Sequence, residues 1–394
     1  MSIRVAVVSE PGKAGVKTHV VDLLRGLDLD RFDVTLYYSL GRSDDDYPDQ
    51  VRDLVARGVR CVEIPMPADL SPWGDLRALT ALVTALRRLR PSILHLHSSK
   101  AGGLGRLASL FLWPRPRVVY TPHGMACYRS RTYLWLERLL GRLTHVPVAV
   151  SPSEKRDFVA WRIPRAEATR VLTMGVRLPS QLRRSIGGDR ETWYIGGCGR
   201  ICYQKNALLF FELAVRMAGG DGRFRFRWIG EFGDDAEAEQ VRALLDRAGW
   251  PPQIEITGWL SRPEEQLRTL DLFCMLSRYE SFGYVTAEAM ALGVPVLATA
   301  TTGTVDLVHH EQTGLLVEPD LASVEAAVRR VASDPRLRER IRVQGRSLVH
   351  EKHTMRRMVD DVEQIYHHAA GSTAGGVTRD DPRPPRWSTR SGMP

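Results

Sequence analysis

Short apolar runs alternate with longer amphipathic stretches along the first half of the chain. The predicted strands are Ile3–Ser9, Asp33–Ser39, Val59–Ile64, Ser92–His97, Arg117–Thr121 and Pro147–Ser151. The predicted helices between them are Gly15–Leu27, Tyr47–Arg57, Leu76–Leu89, Gly102–Trp113 and Arg131–Arg142. Strands separated by helices form a parallel sheet with helices on both faces. Residues 1–180 are therefore predicted to form a doubly wound, Rossmann-like α/β domain.

The same alternation begins again near residue 190 and predicts a second such domain over residues 190–350. Its strands are Tyr194–Cys198, Phe224–Gly230, Gln253–Thr257, Asp271–Ser277, Val294–Thr299 and Gly314–Val317. Its helices are Leu208–Met217, Ala236–Ala248, Val285–Leu292, Leu321–Ser333 and Pro335–Leu348. A polar segment over 182–189 is the predicted linker. A last helix is predicted over Glu351–His368, and the Gly-, Pro- and Ser-rich residues 370–394 are predicted to be disordered.

The composition is that of a globular protein, with 43% hydrophobic and 26% charged residues in a chain of 394. It excludes fibrous, collagenous and largely disordered proteins. The chain has no run of about 18 apolar residues, so no membrane-spanning helix is predicted. The first residues lack the features of a signal peptide. The five cysteines are mostly far apart, which indicates reduced thiols. We therefore expect a cytoplasmic protein.

Positive charge is concentrated in the first half of the chain. Residues 1–180 carry 27 Lys and Arg against 17 Asp and Glu, a net charge of +10, whereas the remainder carries 28 against 29. A solvated surface accounts for this excess, and so does attraction to an anionic partner such as an acidic membrane. The basic residues follow no pattern of a nucleic-acid-binding module, so no nucleic-acid partner is predicted.

Two glycine-containing loops follow predicted strands without completing a nucleotide motif. In Pro11–Thr18, Val16 stands where a P-loop ATPase requires glycine. In Gly196–Gly199, the third glycine of a dinucleotide fingerprint would fall on Cys202, and no convincing acidic ribose partner follows. The sequence therefore excludes both classes, although a turn at Gly15 can still bring the backbone close to a ligand phosphate.

No metal site and no cofactor are predicted. Cys198 and Cys202 are four residues apart, but no second Cys or His pair lies at zinc spacing. The acidic run Asp44–Asp46 lies in a polar loop and is expected to be solvated.

The segment Ser277–Ala298 carries the strongest functional pattern in the chain. A predicted strand ends at Ser277, Glu280 lies in the following loop, and a helix begins near Gly283. Backbone N–H groups at such a helix start bind phosphate oxygens. The carboxylates of Glu280 and Glu288 can each accept two hydrogen bonds, which suits the hydroxyls of a sugar and of a ribose.

Two cations lie beyond another predicted strand. Arg200 follows Gly199 directly, and Lys205 precedes a helix that opens at Asn206. A pair of cations at such a loop can bind a diphosphate without a metal ion. Solvated surface charges are the alternative interpretation for these two residues considered alone.

Taken together, these residues resemble the retaining two-Rossmann-domain (GT-B) glycosyltransferases, family four of that class, also called glycosyltransferase group 1. The motifs that carry the resemblance are Gly199-Arg200, Lys205-Asn206, Glu280-x7-Glu288, His95–Arg106, Thr121–Gly124, Ser151–Glu154, Gly303-x-x-Asp306 and Thr313–Val317. It covers residues 3–368, and the first-half motifs are similar to members that build bacterial polysaccharides and glycans. It implies an acceptor-side domain over 1–180, a nucleotide-sugar domain over 190–350, and a helix over 351–369 that crosses back.

The resemblance also implies a role for each matching residue. Arg200 and Lys205, after Gly199, would neutralise the donor diphosphate, and Glu288 would bind the ribose. Glu280 and the Phe282-Gly283 backbone would hold the donor sugar. The remaining two assignments lie in the first half: Gly15 would let its loop approach the diphosphate, and His123 would contact the sugar near the reacting carbon. His19 and His97 are assigned a structural role.

The reaction that the resemblance implies is transfer of a hexose or N-acetylhexosamine from a nucleotide-diphosphate sugar to a hydroxyl, with retained configuration. A UDP-sugar is favoured as donor and GDP-mannose is the alternative. An epimerase or sugar-phosphate synthase of the same fold, or a non-catalytic sugar-nucleotide-binding paralogue, would share many of the motifs. Two departures, Ala14 for a glycine and Asp306 for a glutamate, bear on the donor sugar.

The acceptor is expected to be a glycan, lipid-linked or a small molecule. In the helix Gly102–Trp113, an apolar stripe lies beside Lys100 and Arg106; its residues are Leu104, Leu107, Ala108 and Phe111. Further cations follow at Arg115, Arg117, Arg129 and Arg131. Packing on the sheet would account for the stripe. The other hypothesis is peripheral binding of this half to an anionic membrane at its inner face, where a lipid-linked acceptor would lie.

Overall fold

The computed structural model describes residues 2–67, 69–124, 126–128, 130–179, 192–220 and 222–371. The predicted linker, Arg129 and nearly all of the predicted tail lie outside these residues. Seven parallel strands form the first sheet: β1 Ile3–Ser9, β2 Phe32–Tyr38, β3 Arg60–Glu63, β4 Ile93–His97, β5 Arg117–Thr121, β6 Val146–Ala149 and β7 Arg170–Val171. Six form the second: β8 Trp193–Cys198, β9 Phe224–Ile229, β10 Ile254–Ile256, β11 Leu272–Met275, β12 Val296–Thr299 and β13 Leu315–Val317.

Strand order reverses in the middle of each sheet. In the first sheet the order is β3-β2-β1-β4-β5-β6-β7, and in the second it is β10-β9-β8-β11-β12-β13. The chain therefore leaves β1 in one direction and returns through β4 in the other, and the loops after these two strands diverge at their carboxyl ends. That crevice is where ligands bind in open parallel sheets. The predicted fold class, two doubly wound α/β halves of GT-B type, is confirmed.

Helices connect the strands. In the first half they are α1 Ala14–Gly26, α2 Tyr47–Ala56, α3 Pro72–Leu89, α4 Ser99–Ala108, α5 Arg131–Leu140 and α6 Pro152–Ala160. In the second half they are α7 Ala207–Ala218, α8 Ala236–Arg247, α9 Glu264–Leu267, α10 Tyr284–Ala291, α11 Thr304–Leu307, α12 Leu321–Ser333, α13 Pro335–Lys352 and α14 Met355–Ala369. The short elements β7, α6, α9 and α11 were not predicted, because two to nine residues show too little periodicity.

The last predicted helix has a different boundary in the structure. Residues 351–352 continue α13, and α14 begins at Met355 after Thr354, whose hydroxyl accepts a hydrogen bond from the Arg357 N–H. A threonine at the N-cap satisfies an N–H group of the first helical turn, which favours a new helix at this position. The predicted start at Glu351 is therefore wrong by four residues.

Helix α14 packs against the first half. A Cβ added at Gly26 of α1 would lie 2.5 Å from Val359 Cγ2, so glycine permits close approach of the two helices. Arg31 and Glu363 form an ion pair of 2.7 Å, and the Tyr366 hydroxyl lies 2.8 Å from His95 Nδ1. The helix that ends the second half thus completes the core of the first, as the crossing helix of the predicted fold does.

Within the ranges described above, no helix combines the length and apolar character needed to cross a membrane.

Candidate active site

A cleft runs between the carboxyl ends of the two sheets and is lined by both halves. All residues that the sequence assigns to donor binding lie on or directly behind its surface. The loops after β8 and β11 approach from the second half, and the loops after β1 and β5 approach from the first.

Lys205 and Glu280 form an ion pair on the second-half side of the cleft. The Lys205 Nζ lies 2.7 Å from Glu280 Oε1, and the two side chains are 17% and 10% exposed. Burial lowers the pKa of Lys205, but the Glu280 carboxylate raises it more, so the lysine carries its charge firmly. A Cβ at Gly199, where φ is 125°, would lie 2.8 Å from Lys205 Cε. Glycine at this position therefore leaves room for the lysine.

Arg200 is exposed and lines the same cleft beside this pair. Its side chain has no hydrogen-bond or ion-pair partner among the residues that the structure describes. A positively charged side chain without a protein partner, next to a buried ammonium, is available to an anionic ligand.

Helix α10 begins in the cleft at Gly283. This glycine adopts φ 85°, a left-handed conformation that glycine accommodates without strain. Phe282 precedes it with a buried ring that packs on Tyr284 and His353. The ring of Phe282 is thus taken up by packing, and both residues line the cleft at the start of α10.

Glu288 lies one turn further along α10, half-buried in the cleft wall. Burial and the neighbouring carboxylates of Glu264 and Asp22 raise its pKa to about 7, while Arg177 opposes this shift. Arg177 is itself ion-paired with Asp22. A ligand that donates hydrogen bonds to this carboxylate stabilises its ionised form and would therefore lower the pKa of Glu288.

The first half meets these groups across the cleft at two glycines. A Cβ at Gly124 would lie 3.5 Å from Ser281 Oγ, and one at Gly15 would lie 3.0 Å from Tyr284 Cδ2. The start of α1 thus faces the start of α10, and the turn that carries His123 faces the turn before Gly283. Gly15 lines the cleft, and the atom nearest to a Cβ added there belongs to Tyr284 in the second half.

Glu154 fixes the turn that carries His123, which itself has a left-handed backbone with φ 55°. The Gly124 N–H donates to Glu154 Oε1 at 3.0 Å, and the Val150 N–H donates to Oε2 at 2.7 Å. The fully buried Glu154 belongs to the Ser-Pro-Ser-Glu motif at the start of α6, where Ser151 caps the helix. The Ser-Pro-Ser-Glu motif was recognised in the sequence. The contact of Glu154 with the turn that carries His123 could not be predicted from it, because that contact depends on the fold.

Asp306 joins the two halves below the cleft. The Ser153 N–H of α6 donates to Asp306 Oδ2 at 2.9 Å, and the Gly303 N–H donates to Ser153 Oγ at 2.6 Å. Gly303 has φ 77°, and a Cβ there would lie 2.5 Å from the carbonyl carbon of Ser281. The Gly-x-x-Asp motif therefore supports the Ser281 turn from behind. Asp306 holds this support in place through Ser153.

Three histidines converge behind the cleft wall, and sequence reasoning missed this cluster. His19 on α1 and His97 at the end of β4 are fully buried, and His123 after β5 lines the cleft. His97 Nδ1 lies 2.9 Å from His123 Nε2, and the rings of His19 and His123 lie 4.6 Å apart. Burial lowers the pKa of all three, that of His19 to about 3, so the imidazoles are neutral at pH 7.

Two sequence interpretations about charged groups are wrong. Asp44 was expected to be solvated, but its side chain is 6% exposed and lies 2.7 Å from the Lys17 Nζ. Its other contact is the Ala14 N–H, so Asp44 stabilises the start of α1. Arg106 was counted among the surface cations, but it is buried against Glu137 with two hydrogen bonds, of 2.8 and 3.0 Å.

The matching families agree with this geometry. Residues 180–348 match the family described as "Glycosyl transferases group 1", and residues 14–178 match "Glycosyltransferase Family 4". The two matches adjoin and together cover most of the chain. The protein therefore belongs to the group 1 glycosyltransferases of GT-B fold, and it is a glycosyltransferase.

Individual relatives share only a low sequence identity with this chain. The chain is 23% identical over 320 residues to the capsular polysaccharide biosynthesis glycosyltransferase CapM of Staphylococcus aureus, covering 77% of this chain and 83% of CapM. It is 26% identical over 346 residues to an Escherichia coli UDP-Gal:alpha-D-GlcNAc-diphosphoundecaprenol alpha-1,3-galactosyltransferase, covering 82% and 86%. The crystal structure of HepE from Anabaena in complex with UDP and glucose superposes with a TM-score of 0.78 at 17% identity, covering 92% and 99%. At that identity the likeness concerns the fold.

Proposed function

We propose that this glycosyltransferase moves a hexose or N-acetylhexosamine from a nucleotide-diphosphate sugar to a hydroxyl acceptor, with retention of the anomeric configuration. The observation that carries the proposal is the approach of the His123–Gly124 turn to the Ser281–Gly283 turn across the cleft. The cleft around these turns is lined by cations, carboxylates and a helix N-terminus, which are the groups that a sugar diphosphate requires.

In this proposal each group serves one part of the donor. Arg200 and the Lys205 ammonium neutralise the diphosphate as the nucleoside diphosphate leaves, together with the N–H groups at the start of α10. Glu288 accepts hydrogen bonds from the ribose. Glu280, which already binds Lys205, accepts from the hydroxyls of the sugar, and His123 lies on the opposite side of it.

We also infer that the reaction needs no metal ion, because the chain itself supplies the positive charge at the diphosphate. In this mechanism none of the carboxylates in the described part of the cleft acts as the nucleophile of a double displacement. Retention then follows from attack on the face that the diphosphate leaves, with the departing phosphate oxygen accepting the proton of the acceptor hydroxyl. The glycosidic bond forms as the bond from the anomeric carbon to the phosphate oxygen breaks.

A UDP-sugar is the favoured donor, and the pathway we propose is synthesis of a polysaccharide, a lipid-linked glycan or another glycoconjugate. The names of CapM and of the Escherichia coli galactosyltransferase support this assignment. The test is incubation of the purified chain with UDP-, GDP- and ADP-sugars, measuring the nucleotide released with and without candidate acceptors. Release from no donor, with tight nucleotide binding, would favour a non-catalytic paralogue. Epimerised donor without transfer would favour an epimerase.

We further propose that the first half binds an anionic membrane surface and takes its acceptor there. Helices α3, α4 and α5 cover one face of the first sheet, and Arg106 and Glu137 join α4 to α5. These helices and the segment that follows α4 expose large apolar side chains: Trp73, Leu76, Leu107, Leu110, Phe111, Trp113, Trp135 and Leu139. Trp113 is 92% exposed and Trp73 is 78% exposed. Aromatic side chains of this kind partition into membrane interfaces.

The predicted stripe on α4 contributes only in part. Leu104 and Ala108 are buried on the sheet, whereas Leu107 and Phe111 face outward. Lys100 is also paired, with Asp75 at 2.7 Å. Exposed cations of the same segments include Arg77, Arg87, Arg88, Arg115, Arg117, Arg131, Arg138 and Arg142.

Sedimentation with vesicles tests the membrane proposal. The protein should sediment with phosphatidylglycerol-containing vesicles at low salt, less at high salt, and not with phosphatidylcholine alone. Trp113→Ser should weaken binding. Trp250→Ser, at an exposed tryptophan of the second half, is the matched control and should not. Equal binding to both vesicle types, or none at low salt, would favour an acceptor in solution.

A further inference from the structure

We propose that His19, His97 and His123 form a binding site for a divalent transition-metal ion of the Zn²⁺ type at the floor of the cleft. One ring nitrogen of each histidine lies within 4.8 Å of those of the other two. Nitrogens that share a tetrahedral zinc ion at about 2.0–2.1 Å lie about 3.3 Å from one another. Small rotations of the three rings therefore bring the nitrogens to ligating distance.

The fold places the three side chains together from separate elements. Strand β4 pairs with both β1 and β5, so the residues that follow β1, β4 and β5 meet at one edge of the sheet. His97 ends β4, His123 follows β5, and His19 lies on α1, which follows β1. The spacing of residues 19, 97 and 123 in the sequence does not indicate that they meet in the fold.

Unsatisfied polar atoms are the second observation. Both ring nitrogens of His19 and the Nε2 of His97 are buried without a hydrogen-bond partner in the described structure. Buried polar groups are nearly always paired, and an unpaired one costs about 1–3 kcal/mol. By contrast, the adjacent His95 has both nitrogens paired, with Tyr366 and Thr121 at 2.8 and 2.9 Å. The unpaired nitrogens thus lie in the cluster of three, where an ion would bind one nitrogen of each histidine and so satisfy at least one of the two on His19.

The donor set selects the class of ion. Neutral imidazole is a ligand for zinc, copper, nickel and cobalt, whereas magnesium and calcium require oxygen ligands. His123 lines the cleft while the other two lie behind it, so a fourth coordination position would open toward the cleft. A bound ion would hold the His123 side chain that the proposed reaction places against the sugar. Zinc is therefore expected to inhibit transfer.

Metal binding can be measured without any substrate. The full chain, stripped with EDTA and dialysed, is titrated with Zn²⁺ against a chromogenic chelator and with Co²⁺ by visible absorption. We expect one ion per chain, a tetrahedral cobalt spectrum, and no binding of Mg²⁺. His19→Ala and, at the less buried position, His123→Asn should each weaken zinc binding at least about tenfold.

Two control variants test whether other side chains account for the binding. Cys202→Ser removes a partly exposed thiol, and His368→Ala removes an exposed imidazole on α14. Neither should change the affinity. Binding that is lost in either control, or that is equal in the wild type and in folded His19→Ala and His123→Asn, would overturn the proposal. Thermal melts without metal establish that the variants are folded. Because no donor is present, these outcomes are independent of the proposed transferase activity.

Discussion

Replacing Arg200 and replacing Lys205 should both slow the reaction, but only the second should weaken the fold. Each cation is proposed to stabilise the leaving diphosphate. Two unit charges about 4 Å apart interact by about 4 kcal/mol at an effective dielectric constant near 20. Losing even a third of that in the transition state lowers turnover about tenfold. We therefore expect at least a tenfold lower kcat for Arg200→Ala and for Lys205→Ala.

The effect on stability differs because the surroundings differ. Arg200 is exposed without a described partner, so its removal should leave the melting temperature unchanged. Lys205 lies 2.7 Å from Glu280, and its removal leaves a carboxylate that is only 10% exposed. Breaking a buried ion pair costs about 3–5 kcal/mol. Because both side chains of this pair keep some contact with solvent, we expect the free energy of unfolding to fall by about 3 kcal/mol, the lower end of that range. The double variant Lys205→Met/Glu280→Gln should regain most of that loss without regaining activity.

The assays are thermal unfolding, followed by circular dichroism, and nucleotide release under saturating donor. Arg247→Ala, which removes an exposed cation at the end of α8 away from the cleft, is the control and should change neither quantity. Wild-type turnover in both single variants would refute the assignment of the diphosphate site. An unchanged melting temperature in Lys205→Ala would refute the energetic role of the pair, even if turnover fell.

Three further predictions concern pH, metal and backbone. The pKa of Glu288 is raised to about 7 in the free protein, so its protonated form dominates below that pH. Because the ribose of the donor should bind the ionised form, nucleotide affinity should fall as the pH decreases below about 7 and level off above it. Calorimetric titrations should show this profile in the wild type and a flatter one in Glu288→Gln. Transfer should continue at an unchanged rate in excess EDTA; complete loss that manganese or magnesium restores would contradict the metal-independent mechanism. Gly303→Ala should reduce both turnover and melting temperature, because its Cβ would lie 2.5 Å from the Ser281 backbone at φ 77°, whereas Gly220→Ala, with open space around the added Cβ, should change neither.

Much of the candidate site follows from the sequence because its parts lie within local motifs. Glu280, Gly283 and Glu288 belong to one strand–loop–helix unit, so their relative placement depends on a single connection. The pairing of Lys205 with Glu280 did not follow, since each was assigned to a different part of the donor. The pairing depends on the adjacency of β8 and β11 in the second sheet. This adjacency brings together two side chains that are 75 residues apart in the sequence.

Contacts between distant segments account for what the sequence could not predict. The histidine cluster needs the order of β1, β4 and β5. The contact between Glu154 and the His123 turn needs α6, which follows β6, to begin beside the loop that follows β5. Element types were predicted well where periodicity extends over ten or more residues. They failed for α9 and α11, which have four residues each.

The crossing of α14 has a consequence for the order of folding during synthesis. Tyr366 is fully buried against Phe32 and near His95, which belong to strands made more than 250 residues earlier. The first sheet has its last strand by Val171, but the part of its core that α14 covers, beside α1, stays open until Ala369 leaves the ribosome. At about 5–20 residues per second that interval is about 10–40 s. A nascent chain halted before Met355 should therefore expose this part of the core to chaperones, although its first sheet is already complete in strand number.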